Sequence, residues 1–169
     1  MEFIELIHTR RSTRKYNSQV VSDEVLNIVL AAGMTAPSAM NKQPWEFIIV
    51  KDAQQKEAVA KISQYAQMTL ESPVSILVCG NTEKSFSSNY LFDCAAASQN
   101  ILLSATALGL GSVWTGIDHK NEELKDSFKK IFNLPKHIEP VAYLVLGYTD
   151  NVFTKKNYFD ENKVHLNKW

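Results

Sequence analysis

Residues 91–110 read Leu-Phe-Asp-Cys-Ala-Ala-Ala-Ser-Gln-Asn-Ile-Leu-Leu-Ser-Ala-Thr-Ala-Leu-Gly-Leu. Nearly every residue up to Gly109 is a helix former or small, and no polar face runs along the stretch. A helix that is apolar on all sides belongs in the middle of something, either a large core or a subunit interface. Asp93, Gln99 and Asn100 interrupt the stretch, so it does not read as a membrane span. It therefore predicts a helix without a solvent face, placed in a core or at a subunit interface.

Strands and helices alternate on both sides of it. Downstream, Gly109–Gly116 ends the helix and turns into a short strand. Asn121 then caps a helix whose inward residues are Leu124, Phe128, Ile131 and Phe132. Val141–Leu146 is a buried strand closed by Gly147. Upstream, Val74–Val78 and Phe47–Val50 read as buried strands. Asp52 caps a helix carrying Ala58, Val59 and Ile62. Ser22 caps another with Val25, Leu26, Val29 and Leu30 inward and Gly33 at its end. Phe3, Leu6 and Ile7 predict a short opening helix. Two prolines and Asn41 mark residues 36–45 as an ordered loop. Three or four strands alternating with helices predict an α/β or α+β layered domain.

The chain has 169 residues, with 18 Lys and Arg balanced by 18 Asp and Glu. This length is that of one domain able to bury a core without metals or disulfides. The balanced charge argues against nucleic acid as a partner. Cys79 and Cys94 have no metal-type spacing and read as small buried hydrophobes of a reducing compartment. No export signal or membrane span is read, so the expectation is a soluble, cytoplasmic protein. The final twenty residues lack a period yet carry Phe153, Tyr158, Phe159, Val164 and Trp169. They have no core of their own, and docking on another subunit would account for them.

Against this neutral background, Arg10-Arg11-Ser12-Thr13-Arg14-Lys15-Tyr16 is a concentrated cation cluster. Guanidinium forks and a hydroxyl suit a phosphate. The same charges would also suit a helix C-terminus or simple solvation. No GxSxG, P-loop or HExxH motif occurs. The four histidines lack ligand spacing, and no metal site is expected. What remains is cations, a Pro-Ser-x-x-Asn loop and glycine-rich turns, an inventory suited to a large phosphorylated cofactor that performs the chemistry itself.

Three segments together resemble the flavin-dependent nitroreductase family. They are Arg10-Arg11-Ser12-x-Arg14-x-Tyr16, Ala36-Pro37-Ser38-Ala39-Met40-Asn41-x-Gln43-Pro44-Trp45, and Ala107-Leu108-Gly109-Leu110-Gly111-Ser112-x-Trp114. Their order and spacing match too, and the likeness runs from residue 2 into the tail. The resemblance implies a single α+β domain over 1–169 with a central, mainly antiparallel sheet flanked by helices. It also implies an intertwined homodimer with FMN at the interface and residues 149–169 wrapped around the partner subunit.

Carried over by position, Arg10, Arg11 and Ser12 would meet the FMN phosphate and ribityl chain, and Arg14 the pyrimidine edge. Pro37, Ser38, Ala39, Met40 and Asn41 would come from the partner and pack on the ring. Thr115 and Gly116 would lie beside flavin N5. Trp114 would either line that region or pack in the core. Lys155 and Lys156 would complete the phosphate site, where many members have Arg, or else be solvated. Pro44 and Trp45 are assigned to core packing. No contact is assigned to Gln64–Ser72, and the loop Asn81–Asn89 is a candidate pocket wall on position alone. The implied activity is an FMN-dependent oxidoreductase using NADH or NADPH. Electrons would pass by ping-pong to a small acceptor such as a nitroaromatic or quinone, with no dedicated catalytic side chain. The alternative is a flavin carrier or sensor without efficient turnover.

Overall fold

Three side chains expected to cap helices do so. Ser22 Oγ accepts from the Val25 N–H at 3.3 Å, Asp52 Oδ1 from Gln55 at 2.8 Å, and Asn121 Oδ1 from Leu124 at 3.0 Å. Each side-chain oxygen satisfies an N–H that the first helical turn leaves unpaired. In the computed structural model, which describes residues 2–156 and 158–169, the order is α1 (Phe3–Thr9), α2 (Asp23–Met34), β1 (Trp45–Val50) and α3 (Ala53–Ile62). Then come β2 (Val74–Asn81), α4 (Tyr90–Ala107), β3 (Leu110–Gly116), α5 (Glu122–Phe132) and β4 (Ile138–Tyr148). Short 3-10 turns lie at Ala39–Asn41 and Gln64–Leu70.

The strands form one antiparallel sheet in the order β1-β2-β4-β3. This is the α+β fold with an antiparallel sheet that the family resemblance implies, one of the two classes that the alternation of elements left open. One face carries α2 and α4 over Ile76, Val78, Leu144 and Leu146. The other carries α3, the 64–70 turn and α5 over Leu77, Cys79, Tyr143 and Val145. Because both faces are covered, every residue of β2 is buried, and the strand reads as a continuous apolar run despite its antiparallel pairing. Trp45 is buried in the first of these cores, as expected of it. Cys79 and Cys94 are buried free thiols, each pushed up to about 12 chiefly by burial, so neither is a reactive thiolate. Among the described residues no helix is long and apolar enough to cross a membrane.

Several boundaries differ from the sequence reading. Gly33 does not end α2 but lies inside it. A Cβ there would stand 2.8 Å from Ile101 Cγ1, so the glycine is the point at which α2 and α4 close on each other. Strand β4 begins before Pro140 and continues past Gly147. Pro140 is accommodated where the β2–β4 register shifts between Val78 and Cys79. In α1 only Leu6 is buried, while Phe3 and Ile7 are exposed. Helix α4 buries Cys94, Ala97, Ile101, Leu102 and Ala105, yet Phe92, Gln99 and Ala107 on its other side are exposed in the single chain.

The segment after α1 is laid along the sheet. Ser12 forms a parallel bridge with Ser112, the Thr13 N–H donates to Ser112 O at 2.8 Å, and the Asn17 N–H to Tyr148 O at 2.9 Å. Tyr16 covers Gly147, and its hydroxyl donates to Thr13 O and Val145 O. A Cβ on Gly147 would lie 2.7 Å from Pro73 Cδ and 2.9 Å from Tyr16 Cδ1. Gly147→Ala is therefore expected to destabilise the fold by about 1–3 kcal/mol through overpacking. Urea unfolding read by far-UV circular dichroism checks this, and an unchanged midpoint would show that the contact relaxes freely.

Candidate functional site

Strand β3 positions the site. Thr115 is tied down by its hydroxyl, which donates to Tyr143 O at 2.7 Å, and the exposed Gly116 follows it. Arg14 reaches the same strand end because Ser12 bridges Ser112 and the Thr13 N–H is hydrogen-bonded to Ser112 O. Arg14, Trp114, Thr115 and Gly116 thus line one cavity of about 550 Å³. Trp114 has both roles considered for it, since it packs against the first core and lines the cavity. A Cβ at Gly116 would meet nothing nearer than Trp114 Nε1 at 3.8 Å, so the backbone there is open to close approach. Burial pushes the Tyr16 phenol above its ordinary value, while the nearby Arg14 cation pulls the other way.

The opposite wall is one that the sequence reading did not supply. Gln64, Tyr65, Gln67, Met68 and Glu71 face the cavity from the 64–70 turn and its end. The turn is held from beneath. Ala66 and Thr69 are fully buried, and the Thr69 hydroxyl is hydrogen-bonded to Tyr143 Oη (2.9 Å) and Ser75 Oγ (3.0 Å). Lys56 Nζ donates to Ser72 O and pins its exit. The loop Asn81–Asn89 does not line this cavity; Thr82 and Glu83 line a separate one with Lys136 and His137. Asn81 Oδ1 instead takes the N–H groups of Glu83 and Lys84, folding the loop on itself.

The remaining cations gather at the C-terminal end of α1. Arg11 donates to the carbonyls of His8, Arg10 and Thr154, and the His8 ring is 2.8 Å from Lys156 O. These bonds bring the start of the tail, with Lys155 and Lys156, against His8 and Arg11. The Arg10 guanidinium has no partner among the described residues. Arg11 thus places three hydrogen bonds on backbone carbonyls, whereas the side chains of Arg10, Lys155 and Lys156 have no partner among the described residues. Ser12, between Arg11 and Arg14 in the chain, bridges Ser112. Beside it Thr13 Oγ1 and Ser112 Oγ are buried without partners among the described residues. Farther along the tail, Val152, Tyr158, Leu166 and Trp169 are exposed, and Asn157 lies outside the described residues.

Pro37–Asn41 lie apart from the cavity, at the N-terminal end of α4. Met40, Asn41 and Gln43 all have φ near +50°, the left-handed region that non-glycine residues rarely adopt. The Ala39 N–H donates to Asp93 Oδ1 at 3.0 Å, and the Gln43 N–H to Ser38 Oγ at 2.9 Å. Asp93 is only 5% exposed, and its Oδ2 has no partner. A buried carboxylate is costly, so one placed here fixes a strained loop to the helix.

The family model described as "Nitroreductase family" matches residues 7–76 and 64–148. A protein of Methanothermobacter thermautotrophicus, provisionally described as an NADH dehydrogenase/NAD(P)H nitroreductase, is 37% identical over 100% of this chain and 88% of its own. The crystal structure of a similarly described protein from Parabacteroides distasonis superposes with a TM-score of 0.94 at 38% identity, covering 99% of this chain and 98% of that one. A nitroreductase-type structure from Desulfovibrio desulfuricans, solved in complex with FMN, has a TM-score of 0.85 at 26% identity over 100% of this chain and 98% of its own.

Asp93→Ala leaves the Ala39 N–H unpaired and is expected to cost about 1–3 kcal/mol. Asp93→Asn keeps an acceptor for that N–H and should retain most of the stability. Thermal unfolding of the two variants distinguishes the outcomes, and equal losses would mean that the carboxylate does not hold the loop.

Proposed function

The chain belongs to the nitroreductase family, and from that premise we propose that it is an FMN-dependent NAD(P)H oxidoreductase acting as a homodimer. The observation that carries the reading is the convergence of Arg14, Trp114, Thr115 and Gly116 on one cavity, with Arg10, Lys155 and Lys156 left without side-chain partners among the described residues. The residues fit the group. A cavity of about 550 Å³ accepts a planar ring system. The hydroxyls of Thr13 and Ser112, beside Ser12 at its bridge to the sheet, are buried without partners among the described residues, polar groups that a polyhydroxyl linker would satisfy.

FMN, when bound, would take hydride from a reduced nicotinamide and pass electrons to a nitroaromatic or quinone-type acceptor in a ping-pong cycle. Arg10, Lys155 and Lys156 would hold the phosphate, with Arg11 fixing the tail that presents the lysines. Ser12 would hydrogen-bond the ribityl chain. Arg14 would place positive charge at the pyrimidine edge, where reduction puts negative charge. Thr115 and Gly116 would bring backbone close to the reacting edge, and Trp114 would wall the ring. No side chain is assigned as acid or base, because protons can come from solvent.

The partner subunit would supply Pro37, Ser38, Ala39, Met40 and Asn41 over the ring. The exposed side of α4 and the apolar side chains of the tail would form the interface. Exposed Trp169 and Leu166 suit burial against a second copy.

The purified protein should be yellow and dimeric and should release FMN on denaturation. Anaerobic NADH or NADPH should bleach it, and a nitroaromatic or quinone should restore the colour. A flavin that does not bleach would favour a carrier, and a colourless protein that ignores added FMN would overturn both. Arg10→Ala and Arg14→Ala should each weaken FMN retention roughly tenfold or more, a charge-assisted contact being worth about 1.5–3 kcal/mol. Arg14→Ala alone should also make the flavin harder to reduce, read as a lower midpoint potential.

A further inference from the structure

A second cavity of about 510 Å³ adjoins the first, formed by the end of α3, the start of the 64–70 turn and the first turns of α5. Gln64 and Tyr65 line both. The second is more polar in character, with Lys61, Ser63, Asn121, Glu123 and Ser127 around it. Lys61 and Glu123 carry opposite charges on the same cavity, yet neither has an ion-pair partner among the described residues. Glu122, one residue earlier, does pair, with Lys125 at 2.9 Å. Asn121 Oδ1 is committed to capping α5, which leaves its amide N–H groups as donors to the cavity.

We propose that this second cavity receives the adenosine diphosphate half of the nicotinamide donor, with Lys61 on the diphosphate and Glu123 on the adenosine ribose. The inference rests on the donor reading of the first cavity given above. A dinucleotide whose nicotinamide reacts beside Thr115 and Gly116 must place its non-reacting half in an adjoining space. That space has to be polar and must provide a cation for the diphosphate. Lys61, at the end of α3, provides one flexible ammonium. Tyr65 stands at the junction and is 72% exposed as a residue, so its ring is offered as a surface for stacking. Glu123 is an acceptor-only carboxylate, matched to the two hydroxyls of a ribose and opposed to a 2′-phosphate. The arrangement therefore selects NADH over NADPH. The cavity only binds, and no bond is made or broken in it.

The test uses the FMN-loaded protein. Calorimetric titration with ADP-ribose and with its 2′-phosphate reads the site without turnover. Anaerobic bleaching by NADH, NADPH and reduced nicotinamide mononucleotide reads it through the donor. ADP-ribose should bind more tightly than its 2′-phosphate, and NADH more tightly than the mononucleotide. Lys61→Ala should raise the dissociation constants of ADP-ribose and NADH roughly fivefold, the scale of one exposed charge pair, and leave that of the mononucleotide unchanged. Glu123→Gln should narrow the gap between NADH and NADPH. Absence of ADP-ribose binding, equal binding of NADH and the mononucleotide, or a Lys61→Ala effect shared by the mononucleotide would each overturn the site while the donor reading stands. A flavin that none of the three donors bleaches would overturn the donor reading, and the proposal with it.

Discussion

The site depends on two backbone hydrogen bonds, from the Thr13 N–H to Ser112 O and from the Asn17 N–H to Tyr148 O. They fix a segment that would otherwise be a charged loop onto the end of a rigid sheet. Ser12 and Arg14 thereby acquire defined positions relative to Trp114, Thr115 and Gly116. The fit requires missing side chains beneath it. A Cβ on Gly111 would lie 2.6 Å from Thr13 Cγ2, and Gly147 lies under Tyr16. The same segment covers β3, an outer strand of the sheet, whose free backbone groups would otherwise invite pairing with another chain. One local arrangement thus closes the sheet and aims a cation.

The architecture was legible where local chemistry decides structure. Ser22, Asp52 and Asn121 each announce a helix start, and the β-branched runs of β1, β2 and β4 announce strands. What the sequence hid was set by distant partners. Gly33 looks like a helix stop, and only Ile101 of α4, packed against it, makes it an interior contact. Pro140 and Gly147 look like strand limits. The register shift opposite Pro140 and the close approach of Pro73 to Gly147 allow β4 to run past both.

The site shows the same division. Arg14 and residues 114–116 stand in recognisable motifs and do share a cavity. The facing wall carries no motif, because its position comes from Thr69 and its hydroxyl contact with Tyr143, far away in sequence. No pattern in Gln64–Ser72 announces that contact. Nor does the Arg10-Arg11 pair announce which arginine is available. Only the fold shows Arg11 engaged by the carbonyls of His8, Arg10 and Thr154, while the adjacent and chemically equal Arg10 has no side-chain partner among the described residues. Met40 and Gln43 likewise give no sign of the left-handed backbone that they adopt.

Asp93 joins the apolar helix to the loop at its N-terminal end. It stands in the first turn of α4, the helix that the sequence places at the centre. Its carboxylate holds the Ala39 N–H and with it a run of strained residues that would relax if released. The loop is therefore rigidly attached to α4 and moves with it. Helix α4 in turn keeps one side buried on the sheet and the other side, with Phe92, open. Any association through that open side positions residues 37–41 without a further degree of freedom. The buried charge is then explained by geometry. It converts a flexible loop into part of the helix end, so that docking one element places both.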